Sequence, residues 1–361
     1  MIIEDIRTTK LVLPWVEPPR FSATYALARQ VLLVEVETRS GIVGLGYLQL
    51  LSPGLRTVES CIHECLKPVL LGQDATQVER LWQQMWHATY GIGRMGVALS
   101  ALSALDIALW DALGKKAGMP LYKLWGGFRE EIPAYGSGCW RGLGGDGMIE
   151  KARDYVRQGF KAIKMQAAHL HDLRTDLDNV RRMREALGPG IDIMIDINMG
   201  WSADTAIAMG KKFEDYDLYW MEEPVPAQDI AGYRRIAQAL KLRVVGGENH
   251  WTRYDLRPFF ETPCVPILQP DVMRCGLTEM RKIAALADTW GLTLAPHLYS
   301  ELMVQVMASI PNGLIIEYMG WLDDLWETPV RPERGVMRPP QRPGHGLSVK
   351  PEIVREFRLK S

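Results

Sequence analysis

No stretch of this 361-residue chain gathers charge of one sign. Its 42 basic and 43 acidic residues are interspersed, with no run of either that would track a phosphate backbone or coat a membrane surface. Nucleic acid is therefore not expected as a partner. The opening MIIEDIRTTKLVLPW lacks a basic segment followed by a continuous apolar one, and no window reads as approaching the apolar length that crosses a bilayer. No membrane is expected either, and the chain is assigned to the cytoplasm. Cysteine is scarce. The five present (Cys61, Cys65, Cys139, Cys264, Cys275) are odd in number and scattered, which excludes a disulfide framework. Cys61 and Cys65 enclose His63 and Glu64, but CIHEC has no second ligand pair nearby and reads as a helix face, not a metal clip. Low-complexity sequence is absent too.

What is present is enough chain for a barrel of roughly 200 to 250 residues plus a smaller unit. The segment LARQVLLVEVETRSGIVGLGYLQL alternates apolar and polar residues about the turn Arg39-Ser40-Gly41, as antiparallel strands do. Leu99, Leu102, Leu105, Leu109 and Leu113 then recur at helical spacing until Gly118-Met119-Pro120. Beyond Trp125-Gly126-Gly127, short apolar runs alternate with amphipathic helical stretches: IPAYGSG, FKAIKMQ, IDIMIDIN, LYWMEEP, LRVVGGEN, VPILQPD, LTLAPH and GLIIEY. Eight such βα repeats close into a barrel whose strand C-termini converge on one face. The expected fold is α/β: a (β/α)7-8 TIM-like barrel (126–328) with an N-terminal α+β capping domain (1–125), completed by a C-terminal segment (329–361) that packs back on the cap.

Three acids, Asp196, Glu222 and Glu248, each close an apolar run and lie about 26 residues apart. Singly, each reads as a helix cap or a surface charge. Together they place one carboxylate at the tip of each of three consecutive βα units, aimed at one point. Buried carboxylates repel unless a cation joins them, and hard oxygen ligands suit Mg²⁺ better than a soft metal.

The other tips supply Lys164 and Gln166 after the second strand, Asn198 beside Asp196, Glu223 beside Glu222, and then Asp271, His297 and Glu317. In a closed barrel the sixth and seventh tips are neighbours, so Asp271 can accept the N–H of His297, fix its tautomer and raise its basicity. Alone, His297 reads as structural, Lys164 as a snorkelling surface lysine and Glu317 as a cap. Glu223 is expected to point away from Glu222 if the strand continues.

These residues carry a resemblance. SALSALDIALWDALGKKAGMPLYKLWGG, GFKAIKMQ, the acids in DIN, EEP and GEN, then QPD, APH and Glu317 resemble the enolase superfamily, specifically its mandelate racemase-like group, along nearly the whole chain. The resemblance implies that Asp196, Glu222 and Glu248 bind a Mg²⁺ ion that chelates a substrate carboxylate. It implies further that His297, backed by Asp271, removes the α-proton, and that Lys164 and a protonated Glu317 donate to the carboxylate oxygens. Stabilising the enediolate as it forms is what makes so weak a carbon acid ionise. Burial near other acids is expected to raise the pKa of Glu317.

The departure from the family pattern concerns Lys164-Met165-Gln166, where racemising members usually carry Lys-x-Lys. An amide accepts no proton at neutral pH, so only the His297 face keeps a base. One base suits a syn elimination. The expected activity is a lyase of carbohydrate catabolism, an acid-sugar dehydratase giving a 2-keto-3-deoxy product. A racemase or epimerase, or a non-catalytic barrel scaffold, are the competing readings. Gln166, Asn198, His250, Arg20, Arg94 and Trp321 are the expected substrate-binding residues, with Trp140 and Trp201 as further pocket walls. Family resemblance also hints at a symmetric homo-oligomer.

Overall fold

A computed structural model describes residues 1–19, 28–168 and 172–359; the expected ligand Arg20 lies outside the described residues. The alternating opening folds as an antiparallel meander of β1 (Ile3–Leu13), β2 (Arg29–Thr38) and β3 (Val43–Leu50) in the order β1-β2-β3. Gly41, at φ 78°, makes the β2–β3 turn, a backbone region that L-residues rarely occupy.

The leucine-rich stretch is the 21-residue helix Val97–Ala117, stopped by Gly118 in the left-handed conformation, with Lys115 and Lys116 against the C-terminal end of its dipole. By length and composition this helix would pass for a membrane span, which corrects the expectation that no such window exists. Its apolar window is 89% buried inside the protein, so it is the core helix of the cap. Gly44 and Gly46 let β3 lie directly on it: a Cβ at either position would stand 2.0 Å from the carbonyl oxygen of Ala108 or Ala104. Across the helix, Asp106 accepts from Thr278 N (2.8 Å) and Thr278 Oγ1 (2.6 Å), so the cap is bonded to the barrel helix Val272–Thr289.

The barrel strands are β4 (Ile132–Cys139), β5 (Ala162–Gln166), β6 (Asp192–Asp196), β7 (Leu218–Glu222), β8 (Val244–Val245), β9 (Ile267–Leu268), β10 (Thr293–Leu294) and β11 (Ile316–Tyr318). They run parallel in the order β11-β4-β5-β6-β7-β8, with β9 paired to β10. Bridges from Gly246 to Leu268 and from Leu294 to Gly313 join the two pieces, so eight strands close the ring. Tyr135, Ala162, Met194, Trp220, Val245 and Ile267, one from each of six strands, and Ala295 just beyond β10 form a separate apolar cluster, the filled interior of such a barrel. The C-terminal strand β12 (Val336–Met337) pairs antiparallel with β4. The tail then returns to the cap, where His345 Nε2 lies 2.7 Å from Leu45 O and Arg358 bridges to Leu11.

The close approach of β3 to its helix gives a stability test. Gly46→Ala is expected to cost about 3 kcal/mol or more, because backbone rather than a flexible side chain must move. Denaturant unfolding with an unchanged midpoint would show that the contact is not as tight as described.

Candidate active site

The strands β5 to β11 each end by delivering a polar side chain toward one mouth of the barrel. On β5, the ammonium of Lys164 is buried, 2.5 Å from Glu222 Oε1, 2.8 Å from Glu317 Oε1 and 3.9 Å from Asp196 Oδ2. Burial works against its charge, but Glu222 and Glu317 outweigh it and hold the lysine well above its ordinary pKa. Glu222 Oε2 also accepts from Trp220 Nε1 (3.0 Å) and Gln269 Nε2 (2.7 Å).

Asn198 sits at φ 46° just beyond β6 and folds back on Asp196, its N–H on Oδ1 (2.8 Å) and its amide on Oδ2 (2.7 Å). Gln166 Nε2 donates in turn to Asn198 Oδ1 (2.6 Å), while Gln166 Oε1 lies 3.3 Å from Arg141 N. Gln166 is thus engaged at both ends of its amide. Asp271 serves two structures at once. Its Oδ1 caps the helix Val272–Thr289 at Met273 N (2.7 Å), and its Oδ2 lies 2.9 Å from His297 Nδ1. This leaves Nε2 of His297 free, 3.6 Å from Glu248 Oε2. Burial lowers the imidazole pKa, but Glu248, the Asp271 bond and Glu317 overcome it and raise it to about 10.

Two expectations fail here. The raised pKa expected of Glu317 is not found: burial pushes its carboxyl up, but Lys164 and His297 hold it below its ordinary value. Glu223 does not turn away, because β7 ends at Glu222 and Glu223 takes φ 38°, so strand alternation no longer applies. It is buried and accepts from Asn249 Nδ2 (2.7 Å), and its pKa is raised well above normal by burial and then by Glu248 and Asp196.

The outer residues divide. Trp321 meets Trp15 edge-on (ring centroids 5.2 Å) and stacks on Trp140 (6.0 Å), bordering a recess with Gly138 and Tyr155. Trp201 instead stacks on Phe213 in the core. His250 packs edge-on to Phe259 (4.9 Å), on the helix following its own strand, and its buried Nδ1 has no hydrogen-bond partner. Arg94 lies over Trp86 and Tyr90 in a groove with Tyr254 and Asp255, bonded to none of the barrel acids. Sequence reading missed Arg141–Asp176 (2.7 Å), a buried pair beside Gln166, whose only signal is an Arg and an Asp at the ends of separate repeats.

Among the described residues no three His, Cys, Asp or Glu side chains stand in ligating array around one point. The donor set nonetheless fits a hard cation. Burial and then Glu222 raise the pKa of Asp196 well above normal, burial raises Glu222, and the buried Oε2 of Glu248 and Oε1 of Glu223 have no hydrogen-bond partner. Such acids are undercompensated by Lys164 alone.

Comparisons with known proteins follow this geometry. Residues 147–353 match the family model described as enolase C-terminal domain-like, and 5–126 match the N-terminal domain of mandelate racemase / muconate lactonizing enzyme. The chain is 37% identical over 320 residues to a 3,6-anhydro-alpha-L-galactonate cycloisomerase of Streptomyces coelicolor, covering 88% of each. It is 31% identical to an arabinonate dehydratase of Saccharolobus solfataricus, covering 100% of each. A solved racemase from Streptomyces coelicolor with bound magnesium superimposes with a TM-score of 0.95 at 34% identity, covering 99% of this chain and 100% of that one.

The raised carboxyls give a pH test. Asp196 and Glu222, both raised by burial, must be ionised to act as ligands, so Mg²⁺ affinity is expected to rise with pH and Mg²⁺ titration in weak buffer to release protons. Calorimetry showing Mg²⁺ affinity flat across the acid-to-neutral range would contradict this.

Proposed function

We propose that this chain, which belongs to the enolase superfamily through its mandelate racemase and muconate lactonizing branch, is an acid-sugar dehydratase that eliminates a C3 hydroxyl after removing the proton at C2. In this reading 1–125 is the cap, 126–328 the catalytic barrel and 329–361 the returning tail. Asp196, Glu222 and Glu248 hold the Mg²⁺ characteristic of the family. When bound, that ion supplies positive charge to a substrate carboxylate and lowers the cost of the charge that develops there.

The remaining work falls to the chain's own groups. Lys164 directs an ammonium at the same carboxylate end. Asp271 keeps the Nδ1–H of His297 engaged, so Nε2 is the atom that takes the C2 proton. Glu248 is first among the charges that raise His297 to about 10, so a cation held by Glu248 would lower the imidazole again toward the range of a base. Once protonated, the same Nε2–H passes its proton to the departing hydroxyl, which leaves as water.

The observation that carries this reading is Gln166. It occupies the place of the second base, and both ends of its amide are engaged within the protein. A group that accepts no proton on the opposite face disfavours a two-base racemase. The cycloisomerase similarity favours one variant, in which the oxygen expelled from C3 belongs to a ring of the substrate and stays attached.

His297→Asn is expected to lower turnover by about 10³-fold or more and to abolish exchange of the C2 hydrogen in D₂O, with folding intact. Persistent exchange would reveal another base. Gln166→Lys is expected to open exchange on the second face, seen by NMR as deuterium in unreacted substrate of both configurations. Incorporation into both configurations by the wild type would instead identify a racemase. A product one water lighter than the substrate identifies dehydration, and one of equal mass carrying a new keto group the ring-opening variant.

A further inference from the structure

Beside the catalytic residues lies a small recess between cap and barrel. Its walls are Gln49 at the end of β3, Leu298 and Glu301 after β10, and Met319 and Trp321 after β11. Its walls neighbour the reacting groups along the chain. Leu298 follows His297 and donates its N–H to Glu317 Oε2 (2.9 Å), and Met319 lies two residues beyond Glu317.

Two features mark it as built for a polar group. Gln49 is 4% exposed, and its Nε2 has no hydrogen-bond partner. A buried amide donor left in that state is rare and destabilising unless something meets it. Opposite stands Glu301, buried on the helix Ser300–Met307 and held by Tyr47 Oη at 2.5 Å. Space in the recess is ≈ 20 Å³, room for about one water-sized group.

We propose that this recess is a subsite for one neutral hydroxyl on the distal carbons of the substrate, with Gln49 Nε2 donating to it and Glu301 accepting from it, so that the chain takes a sugar acid carrying one carboxylate rather than two. The inference rests on the acid-sugar reading above. A second carboxylate would be too large for the recess and would face an acid, and among the described residues no basic side chain lines it. Nor, among the described residues, does the neighbouring recess offer a spare cation. There Arg29 is bound by Asp324 (2.5 Å) and the carbonyls of Pro14 and Trp321, and Lys151 by Glu17 (2.6 Å).

The test uses the full chain with Mg²⁺ and a panel of aldonates, their single-position deoxy analogues and the matching aldarates, following keto-acid formation and C2 exchange in D₂O. For the wild type, kcat/KM is expected to fall about 10- to 100-fold when one particular distal hydroxyl is removed, and as far for the aldarate. Gln49→Leu is expected to lose a similar factor on the parent aldonate, mainly in KM, and to stop distinguishing it from that deoxy analogue. Gln49→Glu, the same shape without the donor, repeats the test should the leucine variant fail to fold. An aldarate turned over as well as the aldonate, or a Gln49 variant that keeps the wild-type preference, overturns the subsite. Absence of C2 exchange with every sugar acid overturns the acid-sugar reading itself.

Discussion

The ammonium of Lys164, wedged between Glu222 and Glu317 at the open end of the barrel, is the contact on which the site's charge balance turns. Two unit charges about 4 Å apart interact by about 4 kcal/mol at an effective dielectric of ~20, so one cation anchors the two carboxylates it touches. It cannot balance the rest. Asp196, Glu223, Glu248 and Asp271 crowd the same region, where His297 can also carry positive charge. Burial first, and then the neighbouring acids, raise the carboxyl pKa values of Asp196 and Glu222, and oxygens of Glu223 and Glu248 are left without a hydrogen-bond partner. The tips therefore suit a divalent ion.

Geometry answers to the same demand. Acids this close persist only where the backbone leaves them no alternative, and short parallel strands closed into a ring provide that. Trp220 shows the coupling: its ring fills the barrel interior while its indole N–H donates to Glu222. Asp271 couples helix capping to imbuing one imidazole with a fixed orientation, so the start of a barrel helix and the base are set by a single side chain. The cap closes the site from the other side, with Gly44 and Gly46 pressing β3 against its helix so that Gln49 reaches the β11 tip.

Much of this was legible in the sequence, because the features concerned repeat. Eight apolar runs punctuated by helical stretches define the ring, and an acid at each of three successive tips needs no tertiary knowledge to be placed on one face. The pairing of His297 with Asp271 was legible for the same reason, since adjacent repeats put their tips side by side. What escaped depends on single backbone departures or on contacts distant in sequence. The φ of 38° at Glu223 cancels alternation, and nothing in EEP announces it. His250 follows a glycine-made turn that sends it to Phe259. Whether Glu317 is ionised depends on how closely Lys164 approaches, which no spacing encodes. The Tyr47–Glu301 bond joins residues 254 apart.

Dehydration and ring opening share their first step, and both follow from one base facing a carboxylate held by positive charge. The structure of the chain crystallised with Mg²⁺ measures that premise most directly. The account predicts a single ion with oxygens of Asp196, Glu222 and Glu248 at about 2.1 Å and Lys164 drawn off Glu222 Oε1. An ion held by a different set of residues, or Lys164 still paired with Glu222 and no ion among the three acids, would contradict it.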